Sequence, residues 1–230
     1  MKNVNTISEQ NIEAAQYDQQ VHKFNSYLHD VLFGMSFEYV NPHDCLLDIG
    51  IGTGLASQSF AKVGLEVYGC DSSIEMLKVC KSKAFAKEVK VFNIHYLPLP
   101  YSDSFFDQVI CCGVFHFFDD LEEILKEILR VIKMKGIFAF TIAAQTYDEE
   151  AITDNNLPGY IKKPTYWEIP ILKHSSAYVN NLLQSYNFEI LKTQELLIRG
   201  GPKKDSEKIL FRVYITQEAS TSNSYFQEKT

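Results

Sequence analysis

Seven consecutive residues, Asp48-Ile49-Gly50-Ile51-Gly52-Thr53-Gly54, set an acid ahead of three alternating glycines, and a second acid, Asp71, stands 21 residues past Gly50. Glycine tolerates positive φ and lets a ligand approach the backbone closely, so such a loop suits recognition through its N–H groups. A carboxylate at that distance accepts two hydrogen bonds from a ribose diol. The dinucleotide fingerprint G-x-G-x-x-G, counted from Gly50, needs a small residue at position 55 and meets Leu55. A nicotinamide cofactor therefore fits poorly. The glycines alone also suit a plain tight turn, and Asp71 alone a partner for the next helix dipole. Acid, glycines and second acid together point to a bound ligand.

Two histidines qualify as general bases, a role needed only where the reacting group keeps its proton at neutral pH. His116 lies in Val114-Phe115-His116-Phe117-Phe118 and His174 in Lys173-His174-Ser175-Ser176-Ala177-Tyr178. Each also has a structural reading: His116 packs a loop, and His174 precedes a serine-capped helix. His95 reads as a loop residue, and His22, His29 and His43 as solvated. No set of His, Cys, Asp or Glu has metal-ligand spacing, so no metal is expected. The five cysteines (Cys45, Cys70, Cys80, Cys111 and Cys112) are odd in number, lack a C-x-x-C pair and read as buried reduced thiols.

Short β-branched runs alternate with segments of three- and four-residue hydrophobic spacing, and these elements must position the candidate residues. Strands are expected at 45–49, 65–70, 89–92, 106–112 and 137–142. Helices are expected from Leu55 to Gly64, after a Ser72/Glu75 capping box, and from Asp119 or Asp120 to a stop at Gly136. Each proline of Leu97-Pro98-Leu99-Pro100 excludes helix there. Alternation of this kind predicts a doubly wound α/β domain with a mostly parallel sheet. Beyond Ile142 follow an irregular stretch from Tyr147 to Pro170 carrying Tyr147, Tyr160, Tyr166 and Trp167, a helix over 175–186, and strands near 188–198 and 208–216. With no helix between them, the last two are expected to pair antiparallel at the sheet edge, completing seven strands.

At 230 residues with 46% hydrophobic side chains, the chain suits one globular domain, and its net charge of −7 repels nucleic acid. No signal core and no run of membrane-spanning length is seen, so a cytoplasmic protein without membrane contact is expected.

Asp48-x-Gly50-x-Gly52-x-Gly54 resembles the first motif of the class I S-adenosylmethionine-dependent methyltransferases, and Asp71-x-Ser73-x-x-Met76-Leu77 their second. Asn93-Ile94-His95-Tyr96-Leu97-Pro98, Ser104-Phe105-Phe106-Asp107 and Gly113-Val114-Phe115-His116 are similar to the small-molecule branch that includes ubiquinone and menaquinone biosynthesis methyltransferases. The resemblance spans residues 10 to 145 and implies a Rossmann-like seven-stranded sheet with an antiparallel terminal strand. It implies S-adenosylmethionine as cofactor: Asp48 near its amino group, the backbone of Gly50, Ile51, Gly52 and Gly54 along its methionine part, and Asp71 on its ribose. Met76 would pack on the adenine, Asn93 and Ile94 hold its edge, and Ser72 and Cys112 complete the set. The branch usually has aspartate where this chain has Asn93, whose amide oxygen accepts without charge. Tyr17-Asp18 resembles a lid motif in which the tyrosine covers the methionine end.

The expected function is in-line methyl transfer to a small-molecule acceptor, with a noncatalytic cofactor-binding module or a protein methyltransferase as alternatives. The sequence names neither the acceptor nor the oligomeric state. One domain is expected over 1–217, with a helical lid at 1–40, a cofactor-binding core at 41–145, an acceptor-side insertion at 146–174 and a terminal helix and strand pair at 175–217. A disordered tail is expected over 218–230.

Overall fold

The computed structural model describes residues 14–23, 26–152, 159–163, 170–199 and 206–219. Two helices, α1 (Tyr17–Lys23) and α2 (Leu28–Ser36), precede an alternation of β1 (Cys45–Ile49), α3 (Ser57–Lys62), β2 (Glu66–Asp71), α4 (Ile74–Ser82) and β3 (Glu88–Val91). β4 (Phe106–Cys111), α5 (Glu122–Val131) and β5 (Ile132–Ala143) extend it, and α6 (Tyr147–Ile152) with the hairpin strands β6 (Tyr160–Lys163) and β7 (Ile171–His174) follow. The chain closes with α7 (Ser176–Ser185), β8 (Phe188–Arg199) and β9 (Lys208–Glu218).

Seven strands form one sheet in the order β3-β2-β1-β4-β5-β9-β8, parallel from β3 to β5. β9 is the antiparallel member, inserted between β5 and β8. Central strands bury both faces, so adjacent residues serve opposite cores. Leu47, Ile49, Val109 and Cys111 pack with α5 and α7 on one face, whereas Leu46 and Ile110 pack with α2, α3 and α4 on the other. Parallel register sets Asp48 opposite Gly69 on β2 and Ile110 on β4.

The loop between β3 and β4 is not helical, as its prolines dictate, and its backbone is satisfied by α5. Leu99 N donates to Glu127 (2.7 Å), and Arg130 donates to the carbonyls of Leu99 (3.0 Å) and Tyr101 (2.9 Å).

Five expectations need correction. The cap of α4 is Ser73, whose hydroxyl accepts from Met76 N at 3.3 Å, because Asp71 holds Ser73 N and starts the helix one residue later than a Ser72 cap requires. Gly136 does not end α5: the helix stops at Val131, and Gly136 lies inside β5. The irregular stretch after β5 contains α6 and β6, and β6 pairs antiparallel with β7 just beyond Pro170, two four-residue strands too short for local alternation to reveal. His29 is buried on α2, where loss of water lowers its pKa. Glu218, assigned to the tail, ends β9 and accepts from Lys135 N at 2.8 Å. Residues 220–230, most of the expected tail, lie outside the described residues.

Candidate cofactor site

The carboxyl ends of β1, β2 and β4 meet where the strand order turns back on itself, the position at which open α/β sheets bind ligands. Gly50 and Gly52 both have positive φ, 73° and 53°. A Cβ on Gly50 would meet Val114 at 2.3 Å, whereas one on Gly52 would face open space with no atom closer than 3.9 Å. The loop is thus packed behind and open in front. It hangs from β2 through Gly50 N and Ile51 N, which donate to Cys70 O at 2.8 and 3.0 Å. The Ile51 side chain is buried against Gly69, leaving only its backbone to the open side.

Asp48 is 1% exposed, and its Oδ2 has no hydrogen-bond partner among the described residues. Burial raises its pKa to about 7; the Ser57 hydroxyl is close enough to favour the carboxylate, yet its oxygen is itself unpartnered, so no aligned bond completes the pair. A buried carboxylate oxygen left open is costly unless a cation or donor arrives. An α-ammonium group supplies both.

Asp71 is wired at its base. Oδ2 accepts from Gly52 N (2.9 Å) and Oδ1 from Ser73 N (2.8 Å), which fixes the carboxylate between the glycine loop and the start of α4. Burial nevertheless raises its pKa, with those N–H groups opposing the shift. Each oxygen retains a lone pair for a diol.

Tyr17 comes to the same place from α1. Its side chain keeps 39% of its surface, but the phenol oxygen is crowded and its pKa is pushed up to about 12, first by lost water and then by Cys112, Asp18 and Asp71. The Cys112 thiol is likewise raised to about 12 by burial and the Asp48 charge, against the Thr141 hydroxyl. Thr141 also accepts from Gly113 N at 2.8 Å. Met76 is half-buried in the first turn of α4 and Ser72 is exposed beside it. Asn93 and Ile94 follow β3, where the Asn93 amide oxygen accepts from His95 N at 3.0 Å and His95 stacks on Phe118 at 4.3 Å.

Three residues absent from the sequence expectations join this site: Thr53, Lys83 and Thr141. Thr53 Oγ1 donates to Asp18 at 2.6 Å, and Lys83 Nζ pairs with the other Asp18 oxygen at 2.5 Å. Thr53 lay inside the glycine motif, but nothing local to Lys83 or Thr141 marks them.

A family model described as a methyltransferase domain matches residues 47–140, from β1 into β5. The chain is 29% identical over 178 residues to an uncharacterized methyltransferase, YcgJ, of Bacillus subtilis, covering 71% of this chain and 68% of that one. It is 36% identical over 96 residues to a demethylmenaquinone methyltransferase of Thermobifida fusca, covering 40% of this chain and 41% of that one. A solved S-adenosylmethionine-dependent methyltransferase from Methanosarcina mazei superposes with a TM-score of 0.65 at 23% identity, over 80% of this chain and 97% of that one. Over residues 47–140 the chain carries a methyltransferase domain, and its fold is that of a solved S-adenosylmethionine-dependent methyltransferase. S-adenosylmethionine is its cofactor. The chain spans less than half of the Thermobifida relative.

Beyond the cofactor end, this methyltransferase brings its two candidate histidines together. β7 docks on the end of β5, where Ala144 bridges His174 and Gln145 N donates to His174 O at 3.0 Å. His174 Nε2 lies 2.9 Å from Phe118 O, so this nitrogen carries the proton and Nδ1 is the bare acceptor. Burial lowers the pKa of both His116 and His174 to about 4, and His174 lowers that of His116 further. Both Nδ1 atoms are buried without a partner among the described residues. Tyr160 approaches His174 at 6.0 Å, Tyr147 is 87% exposed, and Tyr166 and Trp167 lie outside the described residues. Among the described residues no group of three metal-ligating side chains occurs, and no helix is long and apolar enough to cross a membrane.

Proposed function

We propose that this methyltransferase holds the amino-acid end of S-adenosylmethionine on Asp48 and the glycine loop, holds its ribose on Asp71, and methylates a small-molecule acceptor admitted beside His116 and His174. The observation that carries the reading is the buried Oδ2 of Asp48, unpartnered among the described residues, next to a glycine loop where a Cβ on Gly52 would meet nothing closer than 3.9 Å. An ammonium ion there ends the cost of a bare buried carboxylate. Asp71, fixed by two backbone N–H groups, is held ready for a diol without reorganising. Met76 and Ile94 offer apolar surface to the base, and Asn93 and Ser72 its polar edge. Tyr17 and Cys112 bound the methionine end.

The cofactor brings an activated methyl on a sulfonium, so the protein's task is to align the acceptor and exclude water. His116 and His174, neutral at physiological pH, suit acceptance of a hydrogen bond from an acceptor hydroxyl or amine. With pKa values about 4 they attract a proton weakly, and general-base catalysis at neutral pH is the less favoured use. The names of relatives such as the demethylmenaquinone enzyme support a small-molecule acceptor.

Calorimetric titration with S-adenosylmethionine, S-adenosylhomocysteine and NAD tests the first half of this reading. Binding of the first two without NAD is expected, and NAD binding alone would overturn it. Labelled methyl transfer into a metabolite extract, followed by identification of the labelled product, tests the second half.

A further inference from the structure

Helix α1 carries Tyr17 over the site, yet none of its seven residues is buried. So short a helix is not stable by itself in water, and here it has little apolar surface with which to dock. Its hold on the body of the protein is polar and centres on Asp18. One carboxylate oxygen accepts from Thr53 Oγ1 at 2.6 Å, in the middle of the glycine loop; the other pairs with Lys83 Nζ at 2.5 Å, at the end of α4. The partners are 35 and 65 residues away in sequence. Thr53 is 1% exposed, and the Lys83 and Asp18 side chains are 18% and 30% exposed, so solvent screens the cluster less than an ordinary surface pair.

We propose that Asp18 is a positioning residue: with Thr53 and Lys83 it latches α1 shut, holds Tyr17 over the cofactor site, and sets the rate at which the cofactor product leaves. The proposal rests on the cofactor reading above. The methyl donor cannot enter nor its demethylated product depart while Tyr17 covers the cleft, so each turnover breaks and remakes the Asp18 contacts. The pairing joins three separate parts of the site: the lid, the glycine loop and the helix that follows Asp71. Closure is thereby communicated to the loop itself.

The test measures dissociation of S-adenosylhomocysteine by rapid-mixing competition, and amide exchange of residues 14–23 in the ligand-free protein, for the wild type, Asp18→Asn, Lys83→Met and the double variant. Each single variant is expected to release the product about tenfold faster and to exchange faster in 14–23, with the global unfolding midpoint unchanged. The double variant should be no faster than Asp18→Asn, because both changes break one contact. Lys83→Met, at the end of a helix, keeps the test available if Asp18→Asn does not fold. Unchanged release and exchange in variants that still bind the product overturn the latch. Failure of the wild type to bind any S-adenosyl ligand overturns the cofactor reading, and the latch with it.

Discussion

The cofactor end and the acceptor end of this site share one sheet edge but are built differently. On the reading proposed above, the cofactor end uses backbone and carboxylates: Asp48, the glycine loop and Asp71 lie within one β-α-β unit, and Asp71 is held by the N–H groups of Gly52 and Ser73 at 2.9 and 2.8 Å. At the proposed acceptor end the two histidines come from afar, since His116 follows β4 while His174 arrives on a hairpin docked to β5. A fixed ligand is thus met by charge written into contiguous sequence, and a variable one by side chains that tertiary packing gathers.

The largest effect that would break this contrast is expected at Asp71. Asp71→Ala removes two hydrogen bonds to the ribose and the anchor of Gly52, and should weaken cofactor binding on the order of 100-fold, about 3 kcal/mol. Calorimetry on the folded variant checks it, and an unchanged affinity would mean that the fixed-charge description of this end is wrong.

Asp48 sharpens the same contrast through pH. Its folded pKa of about 7 lies above the ordinary 3.8, so the folded protein favours the protonated form. Stability from this group is complete below the ordinary pKa and is lost as pH rises through about 7. Asp48→Asn should therefore gain stability relative to the wild type between pH 5 and pH 8, seen in ligand-free thermal unfolding. Cofactor affinity should move the opposite way in the wild type, about tenfold weaker one unit below that pKa, because Asp48 must shed its proton to meet the ammonium. The variant should bind weakly at every pH, and a wild-type affinity flat across pH 7 would remove Asp48 from the site.

For the acceptor end, His174→Gln and His116→Gln should leave cofactor affinity unchanged while lowering kcat/KM for the acceptor roughly tenfold, as expected for one lost hydrogen bond. Both imidazoles have folded pKa values of about 4, below the ordinary 6.5, so the stability they retain at neutral pH is lost as pH falls from 6.5 toward 4. The glutamine variants should flatten that acid limb. An inflection in kcat/KM near pH 6.5 that vanishes in either variant would show a solvated, titrating histidine instead.

The smallest effect concerns α4 alone. Ser73→Ala should cost about 1 kcal/mol by chemical denaturation and Ser72→Ala almost nothing, since only Ser73 accepts from Met76 N.

These contrasts follow what could be read along the chain. The strands β1 and β4, the glycine loop and Asp71 were legible because each is declared by neighbours within a few residues. The Ser73 cap was missed by one residue because Ser72 and Ser73 offer the same hydroxyl, and only the Asp71 bond to Ser73 N decides between them. Lys83 was illegible because its meaning is a contact with Asp18, 65 residues earlier. The end of α5 was misplaced for a related reason. Glycine is the common stop signal, but here β5 begins at Ile132 and carries Gly136 within it, a choice made by pairing with β4 and not by the helix.

The place of β9 in the sheet bears on how the protein is made. β5 remains a bare edge, and β8 has no strand to join, until residues 208–218 slot between them. During synthesis a chain extended only through β8 therefore carries two unsatisfied strands, the kind of surface on which chains adhere to one another. Premature termination between β8 and β9 should yield a product that aggregates even though every residue of the cofactor site has already been translated.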